Sequence, residues 1–130
     1  MALKVADAEF AAVSALDATE RYAHFVKRVA DTEELWSLRA ADGWVLAGDP
    51  TRELVPVWPH PRYAAACVSG AWAGSEPAVI SLEQWLAEWL PGIARDRRAI
   101  AVFPVPGGPG KVAEAERLRE DLMREVDSYA

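Results

Sequence analysis

A chain of 130 residues is long enough for about one domain with its own core and too short for two. Its 52% hydrophobic and 26% charged residues are those of a globular protein, not a disordered one. Fourteen basic against twenty acidic residues leave a formal charge of −6, which argues against the positive field that nonspecific nucleic-acid binding needs.

Cys67 is the only cysteine, so an intrachain disulfide and a cysteine-cluster metal site are both excluded. No apolar run approaches the ~18 residues of a membrane span. Asp7 and Glu9 stand where a secretion signal would carry apolar residues. The expectation is a cytoplasmic protein with neither a membrane nor a nucleic-acid partner.

Alanine-rich residues 6–16, with Phe10, Val13 and Leu16 at near-helical spacing, predict a first helix. Asp17 followed by Glu20 reads as the capping box of a second. In that helix Tyr22, Phe25, Val26 and Val29 form one apolar stripe, and His24, Lys27 and Arg28 lie off it, toward water. From Leu35 the period falls to two. Trp36 and Leu38, a turn at Asp42-Gly43, Trp44 and Leu46, a turn at Gly48-Asp49-Pro50, and Leu54 to Trp58 predict a three-stranded antiparallel meander. Pro56 removes a ladder donor, which predicts a sheet edge or at least an unpaired N–H side for the third strand.

Pro61 suits the first turn of a short helix over 63–69, with His60 before it as an indifferent cap and Gly70 closing it. Residues 72–77 read as loop and 78–80 as a short strand. Ser81 and Gln84 form a second capping box. Leu82, Trp85, Leu86, Trp89, Leu90 and Ile93 then keep helical spacing without a miss. Pro91 predicts a break or kink near Leu90. Arg95 to Arg98 form a solvated connection, Ala99 to Phe103 a buried strand, and residues 104–110 rigid punctuation. Residues 113–128 form a last helix, with Ala115, Leu118, Leu122, Val126 and Tyr129 on one face. The order predicts an α+β single domain over 1–130: a mainly antiparallel sheet of about four to five strands with helices packed on it, and residues 1–17 as a helical extension.

Several stretches taken together carry a resemblance. They are Arg21-Tyr22 with Phe25-Val26; Glu34-Leu35-Trp36; Asp42-Gly43-Trp44; Pro56-Val57-Trp58-Pro59-His60; Ile80-Ser81-Leu82 leading to Trp89-Leu90-Pro91-Gly92; and Ala101-Val102-Phe103-Pro104. Over roughly 20–125 the chain resembles the bacterial domain-of-unknown-function family 2750 (DUF2750). The resemblance implies a bacterial protein but no activity, so it assigns no catalytic residue. One departure concerns the tail. The family continues as a strand before its final helix, whereas Gly107 to Lys111 here is rich in Gly and Pro. The element order is also faintly similar to SseB-type proteins, which is an analogy of fold alone.

Among candidate site residues His60 stands out, framed by two prolines beside Trp58, where an imidazole near neutral pKa can act as base or ligand. The plainer reading is a strand-ending histidine bonded to nearby backbone. Cys67, in an Ala-rich stretch, is a nucleophile only with a base beside it and otherwise an inert buried thiol. His24 and His60 are too few and too far apart for a metal site. Pro106 to Lys111 fails as a phosphate loop, since Val105 and Val112 replace its Gly and Ser/Thr. Glu83, Glu88, Glu114, Glu116 and Glu120 lie on polar helix faces. Arg95, Arg97 and Arg98 form a small basic patch.

Six tryptophans are the compositional oddity. Trp85 and Trp89 belong to a core stripe, and Trp36 and Trp44 are placed to pair across the first hairpin. Trp58 and Trp72, if exposed, are natural partner anchors. The expectation is therefore a non-enzymatic protein-binding module, a regulatory or immunity-like adaptor, engaging a protein through Trp58, His60 and Trp72. It would need no cofactor and no metal, have no catalytic set, and be open to homodimerisation through the third strand. The alternative is an enzyme or small-ligand binder with His60 in the site.

Overall fold

The computed structural model describes residues 4–48 and 51–128. Helix α1 (Asp7–Ser14) starts without a side-chain cap. Helix α2 (Ala18–Thr32) begins on the predicted box: the Asp17 carboxylate accepts the Glu20 N–H at 2.8 Å, and the Glu20 carboxylate accepts the Asp17 N–H at 3.3 Å. Phe25, Val26 and Val29 are buried as their spacing requires. Glu33, at a left-handed φ of 61°, then turns the chain into strand β1.

The predicted meander divides between two sheets. β1 (Glu34–Ala40) pairs with β2 (Gly43–Trp44) through Arg39↔Trp44 and Ala40↔Gly43, and the Val45 N–H adds a bond to the Leu38 carbonyl at 3.0 Å. Gly43 sits at φ 126°, a conformation that side-chain-bearing residues rarely adopt. Val45 and Leu46 then carry the chain across to β3 (Ala47–Gly48), which pairs with β4 (Glu53–Val57). Asp49 and Pro50 of the second predicted turn lie outside the described residues.

Helix α3 (Pro61–Ala65) is shorter than expected, and a single 3₁₀ turn follows at Gly70–Trp72. β5 (Glu76–Ser81) is longer than expected and runs antiparallel along the whole of β1 but its last residue. β6 (Ala99–Val102) lies parallel to β4, and β7 (Lys111–Ala113) antiparallel to β6. The sheet orders are β2-β1-β5 and β3-β4-β6-β7. The α+β class holds, but the expected sheet of four to five strands is seven strands in two sheets with one parallel pair. A parallel pair needs a crossover, and here α3, β5 and the helix after it supply one. The sheets join at Trp36 and Trp58, whose backbones exchange hydrogen bonds at 2.9 and 2.8 Å.

β4 is an internal strand, contrary to the edge position that Pro56 predicts. It tolerates the proline because β3 pairs only with Glu53 and Leu54 and has ended by position 56. On the other side Val57 accepts the Phe103 N–H at 2.8 Å. The Pro56 carbonyl takes the Ser37 hydroxyl at 2.7 Å.

Pro91 does not end its helix. α4 (Leu82–Gln84), capped by the Ser81 hydroxyl at 3.1 Å, passes into a π-helical segment at Trp85–Trp89 and on into α5 (Leu90–Arg95). The Leu90 N–H reaches back five residues to the Trp85 carbonyl, and the donorless proline follows at once. The wider turn absorbs the discontinuity that Pro91 would otherwise force on an α-helix.

The tail is also a correction. The Gly- and Pro-rich run does not replace a strand; it is a tight loop ahead of β7. A Cβ on Gly110 would come within 2.8 Å of the Val102 carbonyl oxygen, so only glycine lets the loop close this far onto β6. α6 (Ala115–Asp127) buries Ala115, Leu118 and Leu122. Tyr129, the last member of its predicted stripe, lies outside the described residues. One hydrophobic cluster, including Phe25, Leu38, Trp58, Trp85 and Leu118, joins α2, both sheets, the π segment and α6.

Candidate functional site

The three expected anchors are placed close together but mostly inside. Trp58 is fully buried, its indole N–H donating to the Pro104 carbonyl at 2.8 Å. Trp72 packs edge-on against it with ring centres 6.0 Å apart, half-buried, its indole N–H directed at the Leu46 carbonyl at 3.4 Å. His60 is buried, and its Nδ1 accepts the Arg62 N–H at 3.1 Å. That makes His60 the N-cap of α3, a working cap and not an indifferent one. Trp58 is thus no surface anchor.

Cys67 does not form a pair with the imidazole. Its Sγ faces the Pro104 carbonyl at 3.4 Å. Burial pushes the thiol up, against a smaller downward pull from Trp58 and Arg21, opposite to the thiolate character a nucleophile needs. Among the described residues, no three His, Cys, Asp or Glu side chains gather where a metal ion would fit. No helix among them is long and apolar enough to cross a membrane.

His24 departs from its expected solvent-facing position. It is half-buried with its ring 6.2 Å from that of Phe103, and its Nε2 has no hydrogen-bond partner. Burial lowers its pKa, Arg28 lowers it further and Glu9 opposes them. Arg28, also expected to face water, is partly buried in an ion pair with Glu9 of α1 at 3.0 Å. Arg62 fastens the same helix: it donates to the Val5 carbonyl at 2.7 Å and to Asp7 at 2.6 Å, and its guanidinium lies 4.4 Å from the centre of the Phe10 ring.

Two polar clusters are structural. Arg21, buried to 5% exposure, donates to the carbonyls of Leu16, Phe103 (3.0 Å) and Pro109 (2.8 Å). It ties the start of α2 to both ends of the loop before β7. Tyr22 donates to Asp121, locking α2 on α6. Burial and that carboxylate push the phenol strongly up. Burial alone would raise the Asp121 pKa, but hydrogen bonds from Tyr22 and Arg117 outweigh it and hold the carboxyl below its ordinary value.

An open, mainly apolar concavity lies elsewhere. Trp44 of β2 does not pair with Trp36; β1 sets Arg39 opposite it. It meets Trp89 of the π segment instead, edge to face, with centres 4.8 Å apart and planes at 86°. These indoles, both half-buried, border a cleft of about 350 Å³ floored by Val55 and Ile93. Glu88, Asp96 and Arg98 stand at its rim. Arg98 is engaged twice, by Glu53 at 3.0 Å and by Asp96 at 3.3 Å. Of the predicted basic patch, then, Arg98 is paired, while Arg95 and Arg97 are exposed.

Sequence reasoning missed this cleft because it placed Trp89 in a uniform α-helical stripe. Pro91, two residues later, predicted a break or kink near Leu90 but not the π-helical turn before it. A proline inside an unbroken apolar period calls for a wider turn, which shifts the phase of the residues before it.

No curated protein matches the chain. A family model described as "Protein of unknown function (DUF2750)" matches residues 22–122, from the second turn of α2 into α6, and leaves α1 outside. The chain belongs to the DUF2750 family.

Proposed function

We propose that the protein is a non-enzymatic binding module, working in the cytoplasm, that engages a protein partner through the cleft between Trp44 and Trp89. The observation that carries this reading is a concavity bordered by two partly exposed indoles on an apolar floor with a charged rim. Tryptophans in such pockets are the residues most often found to dominate binding energy. The cytoplasmic setting is supported by the lone cysteine, which has no partner for a disulfide.

The recognition surface moves from Trp58, His60 and Trp72 to this cleft because the first two are occupied in packing and capping. The same occupation weighs against an enzyme or ligand site at His60. The test is affinity capture from native lysate with wild-type, Trp89→Ala and Trp72→Ala proteins. The expected result is a set of proteins retained by wild type and Trp72→Ala and lost with Trp89→Ala. Equal capture by all three variants would refute the reading.

A further inference from the structure

We propose that the group taken by the Trp44/Trp89 cleft is a cationic side chain, a lysine or arginine carried by the partner protein. This deepens the binding-module reading and rests on it. The walls favour a cation. Indole faces carry negative quadrupole density, and two rings set at 86° with centres 4.8 Å apart give a cation an aromatic wall beside a second ring. Trp44 already draws one: the Arg39 guanidinium stands 5.5 Å from its ring centre.

The rim favours a cation too. Arg98 has its donors turned to Glu53 and Asp96, so it offers little to an incoming anion. The charged residues that line the cleft are Glu88 and Asp96 against Arg98, one negative charge in excess. The formal charge of −6 adds a long-range field of the same sign. At about 350 Å³ the cleft has room for one long side chain. A Lys or Arg stem would lie on Val55 and Ile93 while its head meets the indoles and carboxylates.

The experiment uses the full chain with labelled indole N–H groups followed by NMR. The probes are acetyl-Gly-Lys-Gly-amide, the same peptides with norleucine or glutamate in place of lysine, and tetramethylammonium chloride. The lysine peptide is expected to shift the Trp44 and Trp89 signals saturably and to leave that of buried Trp58 in place. It should bind about tenfold more tightly than the norleucine peptide and more weakly as salt rises. Glu88→Gln, at an exposed position, should weaken the lysine peptide without unfolding the protein, and Arg39→Gln should strengthen it.

Equal shifts with the norleucine or glutamate peptide would overturn the cation inference and leave the cleft as a binding site. Tighter binding of tetramethylammonium than of the lysine peptide would overturn the assignment to a chain-borne cation. No shift of either indole with any peptide would overturn the cleft reading itself.

Discussion

Arg21 is buried among backbone carbonyls, where its planar five-donor head reaches three separate segments at once. Removing it would leave those acceptors unsatisfied in the interior. Arg21→Met is expected to destabilise the protein by about 3 kcal/mol in urea unfolding. Arg21→Lys should not restore it, because an ammonium cannot span the same carbonyls. Nothing in the helical period around residue 21 shows that this side chain turns inward. Two of its three partners, Phe103 and Pro109, lie more than eighty positions away, at a loop whose closure only the folded chain reveals.

His24 has a pH consequence with a definite sign. Its folded pKa lies below the ordinary 6.5, so the unfolded chain takes up the proton first as pH falls. The contribution is intact above pH 6.5 and is lost as pH drops through the folded-state value. Urea midpoints between pH 7.5 and 5.5 should fall for the wild type and fall less for His24→Gln.

At the scale of elements, α1 is weakly held for a helix. It lacks a side-chain cap, buries only Val13 of its own residues and is held largely by the Glu9 and Asp7 ion pairs and the Phe10 contacts. Surface ion pairs of this kind contribute little. Its amides should exchange with deuterium well before those of α2 and α6, through local opening and not global unfolding. Exchange at the same rate as the α2 core would disprove this.

The helices were the most legible part of the sequence. The box at Asp17/Glu20, the Ser81 cap on the Gln84 N–H and the stripes through Phe25 and Leu118 depend on neighbours within one or two turns. The sheets were less so. That β1 to β4 are extended follows from alternation, but their division between two sheets depends on Val45 and Leu46, which carry no turn chemistry. The partner of the uniformly apolar β6 is a long-range choice. Pro56 conveyed the right local fact, an N–H side without a ladder, and the wrong global one, an edge. The Trp44/Trp89 cleft joins two elements more than forty residues apart, so neither local pattern disclosed it.

The molecule as a whole has one principal core to which both sheets and the main helices contribute. Leu118, fully buried on α6, packs into it. Leu118→Ala is expected to remove about 3 kcal/mol, and the loss should be seen equally by tryptophan fluorescence and far-UV circular dichroism, in one coincident transition. A second transition confined to one probe would show that the sheets unfold independently despite the Trp36–Trp58 link.

The parallel pairing of β4 with β6 bears on how the chain reaches this state. Leu54 meets Ala99 only after everything between them has been brought round, so chain-closure entropy opposes the step until those intervening parts have condensed. The middle of the larger sheet should accordingly be among the last regions to form. Substitutions at Val55 or Ile100 should chiefly quicken unfolding and leave the refolding limb of a chevron nearly unmoved.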